Sequence, residues 1–384
     1  MNPTPPIPAL ASRTGVRVPE LDGLRGLAIL LVLGIHWFGV TNPEVMNHVA
    51  FFWIAYGFSG VDLFFVLSGF LVGGILLDAR ESPSYFRTFY FRRACRILPL
   101  YYLFFLYIIL QTQLSTGIPP EDARQLPYYA VFLQNFTLAF TPRLGLPNME
   151  VTWSLAIEEQ FYLTLPLLIK YMPRQRLPYI LGGAIAAVPV IRTLVAEYYG
   201  SFAGYTLMVC RADDLLLGVL GAWAYRDLRA WNWLLSHRHV LRTTVVALGL
   251  GIFSMRAVLR ENIYSFGMVS VGYTLFGLFY ASLLLLTLTD SGSHIAKVFR
   301  FTPLRFVGTL AYCVYLIHGP VNTTLHHYIL SDVPQTRNAV GLAVTLLSIP
   351  AVTLIAIASW YFIEKPLIAI GHRRSYGNER NSPN

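Results

Sequence analysis

Apolar residues gather into ten windows of roughly twenty residues, each long enough to cross the hydrocarbon core of a bilayer as a helix. The windows lie near residues 24–40, 56–78, 97–114, 152–170, 179–196, 207–225, 243–259, 266–289, 306–329 and 339–361. Polar stretches separate them, alternately rich and poor in basic residues. With a cytoplasmic N-terminus, the inside stretches (1–22, 79–96, 170–178, 226–242, 290–305 and 362–384) hold 21 Lys and Arg. The outside stretches hold five, Arg124, Arg143, Arg256, Arg260 and Arg337. That asymmetry satisfies the positive-inside rule at every turn, and an even number of spans returns the C-terminus to the cytoplasm. The pattern predicts an all-α, polytopic membrane helix bundle of about ten transmembrane helices, both termini cytoplasmic, set as a multi-pass protein in the cell (inner or plasma) membrane.

The same pattern divides the chain into a cytoplasmic N-terminal tail over 1–20, a membrane domain over 21–366 and a cytoplasmic C-terminal tail over 367–384, disordered after about residue 373. No apolar run precedes a small-residue cleavage site near the start, so the first span is expected to direct insertion without a cleaved signal peptide. The longest outside connection, about 115–150, is half apolar, with YYAVFLQNF at 128–136. It is expected to pack at the interface or dip into the bundle and to cover a cavity.

Composition supports the membrane reading: 55% of the 384 residues are hydrophobic and 13% charged, too few polar groups to coat a soluble fold. The formal charge of +9 sits in clusters between spans, where it sets orientation, and nucleic acid is not expected as a partner. Cys95, Cys210 and Cys313 are odd in number and far apart, so they read as packing residues, with neither a disulfide framework nor a metal site.

A charged side chain at mid-bilayer costs ~2.5–3.5 kcal/mol on insertion scales, so each one needs a partner, a wet cavity or a purpose. The informative residues are Arg25, His36, Asp62, Glu158, Arg192, Arg211, Asp213 and His318. Arg25 and His36 stand eleven positions apart in the first span, ~16 Å along a helix and on nearly one face. Alone, the first is a snorkelling cation and the second a hydrogen-bonded core imidazole; together they make a functional face. In GVDLFFVLSGFLVGG, Asp62 is placed to fix the tautomer of a histidine, while Ser68 and Gly69 open a small-residue face for a helix or a ligand.

In WSLAIEEQFYLTLP, Glu158 shares a face with Ser154 and can take a proton, orient a hydroxyl, or pair with Arg25 or Arg211. The loop YFRTFYFRRACRILPLYY sets Arg87, Arg92, Arg93 and Arg96 among aromatic residues. Topology alone accounts for several of these; four guanidiniums interleaved with Tyr and Phe also suit a ligand bearing phosphates and an adenine, coenzyme A among them. CRADDLLLG places Arg211, Asp213 and Asp214 at a span mouth, and AYCVYLIHGP places His318 in mid-span, as a structural or acceptor-side residue. His36 is the preferred catalytic imidazole because it shares a face with Arg25.

These stretches in this order, namely Arg25 with His36, GVDLFFVLSGF, FRRACRILPLYY, WSLAIEEQFYL, AYCVYLIHGP and YFIEKP, resemble the acyltransferase-3 family of bacterial integral-membrane O-acyltransferases, from about Glu20 to Pro366. The resemblance implies transfer of an acyl group, often acetyl, from acyl-coenzyme A at the cytoplasmic face to a hydroxyl of a carbohydrate, a surface polysaccharide, lipopolysaccharide or other glycan, or of a glycosylated small metabolite. It also implies His36 as the catalytic histidine, Arg25 with Arg92, Arg93 and Arg96 as donor-binding residues, and Glu158 as the acceptor-side carboxylate. Ser68 joins the donor side and Asp62 the catalytic group. No permanently bound cofactor or metal is expected; the donor is a substrate. The expected mechanism makes His36 a general base, oriented by Asp62 or Glu158, or a residue transiently acylated itself. A proton-coupled transporter is the rival class, since polar residues in a ten-helix bundle also describe carriers.

Overall fold

The computed structural model describes residues 18–42, 52–141, 146–257 and 263–376. Arg13, Arg17, Arg143 and Arg260, most of the N-terminal tail and the last eight residues of the C-terminal tail lie outside the described residues. Among the described residues ten long helices form: α1 (Pro19–Gly34), α2 (Gly60–Ala79), α3 (Tyr85–Ser115), α4 (Trp153–Tyr171), α5 (Leu177–Tyr199), α6 (Met208–Arg226), α7 (Arg238–Ala257), α8 (Tyr273–Thr289), α9 (Thr302–Leu330) and α10 (Ala339–Ser359). α1 runs on through a π turn over Ile35–Gly39, and α10 through a π turn over Trp360–Glu364 into a short helix, Lys365–His372. Pro19 at the first helical position and Glu20 and Asp22 in the first turn suit the start of α1, where the amide dipole favours acidic groups.

Eight of these, all but α4 and α6, are long and apolar enough to cross a membrane. The chain is therefore a polytopic helical membrane bundle. The two exceptions fall on the windows 152–170 and 207–225, and their charges have a structural reason. α6 lies between α2, α4, α5 and α8 rather than against lipid. A helix lined by protein can hold Arg211, Asp213 and Asp214, all wholly buried, where lipid would reject them.

Close helix crossings position the interior. A Cβ on Gly26 would stand 2.1 Å from the Leu304 carbonyl oxygen, and one on Gly308 1.8 Å from that of Asp22, so α1 and α9 meet backbone to backbone. Gly69 of α2 and Gly218 of α6 do the same, their Cβ positions lying 1.9 Å from the Leu215 oxygen and 2.1 Å from the Val66 oxygen.

The connection before α4 folds into short helices, Pro120–Ala123, Leu126–Ala130 and Gln134–Phe140. It dips into the bundle: Gln134 is wholly buried and donates to the Thr152 carbonyl at 2.9 Å, and the Tyr129 carbonyl accepts from Tyr101 at 2.7 Å. At the other end, residues 374–376 lie against α3, while the rest of the tail expected to be disordered falls outside the described residues. Arg92 donates to the Arg374 carbonyl at 2.7 Å, and Thr88 to that of Ser375 at 3.3 Å.

Candidate active site

The tight α1–α9 crossing brings two imidazoles together. Nδ1 of His36, in the π turn of α1, lies 3.0 Å from Nε2 of His318 in α9. The rings are stacked at 5.0 Å between centroids. Trp37 fastens the same junction by donating from its indole to the His318 carbonyl at 3.3 Å. His318 is 1% exposed, whereas His36 is part-exposed, so only His36 can meet a ligand. Nε2 of His36 has no hydrogen-bond partner among the described residues.

Asp62 does not join this pair. Its Oδ1 accepts from Arg211 at 2.6 Å, and Arg211 reaches Asp214 at 3.2 Å. All three side chains are wholly buried. Next to them Arg192 meets Asp213 at 3.0 Å and the Val269 carbonyl at 2.6 Å, with Thr274 donating to Asp213 at 2.6 Å. The expected tautomer-fixing role of Asp62 is thus corrected: at the first turn of α2 it faces α6, where its Oδ1 pairs with Arg211 and its Oδ2 has no hydrogen-bond partner among the described residues.

A separate polar group faces the N-terminal half of α1. Arg25, held by Asp22 at 2.9 Å, has Arg93 and Tyr162 within electrostatic reach. Arg96 faces Arg25, Arg93, Tyr162 and Glu364. Arg96 is the exposed member of this cluster, whereas Arg25 and Arg93 are half-buried. Arg93 stacks over the Tyr162 ring at 5.1 Å, and the Tyr162 hydroxyl meets Ser68 at 2.5 Å. Glu158 faces Ser68, Tyr162, Arg93 and Arg96, and pairs with neither Arg25 nor Arg211.

Arg92 is the expected donor residue that falls outside the group: besides the Arg374 carbonyl it stacks on the Tyr376 ring at 4.8 Å. Consecutive residues on a helix point about 100° apart, and Arg93 takes the inward direction.

One face of α4 connects the arginines with the imidazoles. Tyr162, Glu158 and Ser154 are four residues apart and climb ~12 Å on one stripe. Tyr162 stands under Arg93; Ser154 meets the Tyr315 hydroxyl at 2.6 Å, three residues ahead of His318. Sequence reading missed Tyr162 and Tyr315. Tyr162 carried a usable signal, the fourfold spacing from Glu158, while Tyr315 is identified only by its contacts across helices.

The chain is 28% identical over 375 residues to the peptidoglycan O-acetyltransferase OatA of Listeria monocytogenes, covering 91% of this chain and 56% of that protein. It is 26% identical over 377 residues to the O-acetyltransferase OatA of Staphylococcus aureus, covering 91% of this chain and 57% of that one. The chain thus spans little more than half the length of these relatives. No solved structure matches it. The family model described as acyltransferase domain matches residues 18–363, nearly the whole bundle, and the chain accordingly belongs to the acyltransferase-3 family.

Proposed function

We propose that this chain is a membrane O-acyltransferase that moves an acetyl group from acetyl-coenzyme A to a carbohydrate hydroxyl, a glycan of the peptidoglycan type being the acceptor suggested by the relatives' activity. The carrying observation is a row of polar side chains on α4, Tyr162, Glu158 and Ser154, with Arg25, Arg93 and Arg96 toward one end and the part-exposed His36 beside His318 toward the other. Guanidiniums bind phosphate bidentately, so the three arginines fit the phosphates of coenzyme A, with Ser68 beside them. On this reading both termini are cytoplasmic and the donor arrives from the cytosol.

Nε2 of His36 takes the proton of the acceptor hydroxyl as its oxygen attacks the thioester carbonyl carbon. The carbon–sulfur bond breaks, and the imidazolium returns its proton to the departing thiolate. Glu158, between the arginines and Ser154, orients the acceptor. An ester and free coenzyme A result.

The test is purified protein in lipid nanodiscs, given acetyl-labelled acetyl-coenzyme A and soluble peptidoglycan fragments. Label is expected on the glycan, and His36→Ala is expected to lower transfer by at least about 100-fold, the low end of what a general base contributes. A folded His36→Ala protein with full transfer overturns the reading. Glycan flux without ester formation assigns the bundle to a carrier instead.

A further inference from the structure

We infer that His318 is a positioning residue that sets the tautomer of His36, leaving Nε2 of His36 as the basic nitrogen. This rests on the reading of His36 as general base. Nδ1 of His318 lies 2.8 Å from the Tyr315 carbonyl and 3.2 Å from the Val314 carbonyl. Carbonyl oxygens only accept, so this nitrogen carries a proton whatever the charge of the ring. In the neutral ring that is the sole N–H, and Nε2 holds a lone pair. Nε2 faces Nδ1 of His36 at 3.0 Å and can only accept from it. Nδ1 of His36 is therefore protonated, and the lone pair of neutral His36 resides on Nε2 of that part-exposed residue.

The chain of dependence runs from the α9 backbone through one imidazole to another. Its direction matters because a free imidazole favours the opposite tautomer, with the proton on Nε2, where it would block base catalysis. The α9 carbonyls turn that preference round. His318 is 1% exposed, so it acts through His36. When Nε2 of His36 accepts the hydroxyl proton, Nδ1–H goes on donating to His318, which steadies the imidazolium without a buried carboxylate.

Two substitutions separate this role from packing. In His318→Gln the side-chain oxygen falls near the position of Nε2 and still accepts from His36. In His318→Asn the amide keeps the contact with the Tyr315 carbonyl but falls short of His36. The protein in nanodiscs, labelled with ¹³C,¹⁵N-histidine, is examined by solid-state NMR, with His36 assigned by difference from His36→Ala. Wild type and His318→Gln are expected to show His36 protonated at Nδ1 and bare at Nε2; His318→Asn is expected to reverse this.

With acetyl-coenzyme A and peptidoglycan fragments, His318→Asn is expected to lower kcat about 100-fold at unchanged KM, and His318→Gln to lie within about tenfold of wild type. Wild-type His36 bare at Nδ1, or a folded His318→Asn enzyme with wild-type kcat beside an inactive His36→Ala, overturns the inference. Should His318→Asn fail to fold, the wild-type and His318→Gln spectra still decide it. If His36→Ala retains full transfer while the spectra are as expected, the tautomer assignment stands and the general-base reading falls.

Discussion

Arg211 holds Asp62 at 2.6 Å across the α2–α6 crossing, and both side chains are sealed from solvent. Removing one partner of a buried pair strands the other charge and costs about 3–5 kcal/mol. Asp62→Ala is therefore expected to lose thermal stability steeply in detergent, with activity falling only as folded protein is lost. Arg211→Ala, which strands Asp62 and Asp214, is expected to fare worse. Fluorescence-detected size exclusion after heating measures both. An Asp62→Ala protein of wild-type stability but no activity would return Asp62 to the catalytic group.

Arg92 and Arg93 are neighbours in sequence with opposite surroundings, one under Arg374 and Tyr376, the other over Tyr162. A charge-assisted contact with phosphate contributes about 1.5–3 kcal/mol, so Arg93→Ala is expected to raise the KM for acetyl-coenzyme A by roughly 10- to 100-fold. Arg92→Ala is expected to leave it within about twofold, because its contacts are with the chain's own tail. Initial rates over a range of donor concentration measure the difference. Equal effects at the two positions would mean that the donor lies across the tail rather than against α4.

These contrasts mark what the sequence could and could not convey. Span positions were legible from hydropathy because lipid accepts little else, and helices occur at all ten windows. α4 and α6 fall short of a spanning composition because Glu158, Glu159, Arg211, Asp213 and Asp214 look into protein, and a one-dimensional window does not distinguish protein from lipid. The grouping of Arg25 with Arg93 and Arg96 followed from their types and flanks. Arg92 did not separate from them, since rotation about a helix is fixed only by what packs beside it. Asp62 was expected beside a histidine because both are intramembrane; its partner lies 149 residues onward. The two histidines are 282 residues apart, and the crossing of α1 with α9 is what joins them.

Glu158 stands between two functions that kinetics can separate. It faces Arg93 and Arg96, the residues assigned to the donor, and shares a stripe with Ser154, which meets Tyr315 of α9 on the side of His36. Removing its charge frees the guanidiniums to attract phosphate, a Coulomb effect on the order of 1–3 kcal/mol at an effective dielectric near 20. Glu158→Gln is expected to lower the KM for acetyl-coenzyme A several-fold. If Glu158 orients the acceptor, kcat falls at the same time, by about 10- to 100-fold. A raised donor KM with unchanged kcat would place Glu158 in the donor site instead.

The His36–His318 contact depends on two helices touching without side chains between them, so it is exposed to changes far from either ring. Gly308 lies ten residues before His318, ~15 Å down α9. A Cβ there would stand 1.8 Å from the Asp22 oxygen and 2.9 Å from the Gly26 nitrogen, both backbone atoms of α1. Neither can rotate away as a side chain would, so Gly308→Ala must push α1 from α9. A separation of 1 Å takes the 3.0 Å contact beyond hydrogen-bond range. The expected result is a protein that inserts and remains helical but transfers acetyl at least about 100-fold more slowly, with His36 reverting to the Nε2-protonated tautomer. Gly319→Ala, beside His318 itself, meets nothing within 4 Å and is expected to leave transfer unchanged. Should Gly308→Ala be fully active, the α1–α9 contact would not be what aligns the two imidazoles.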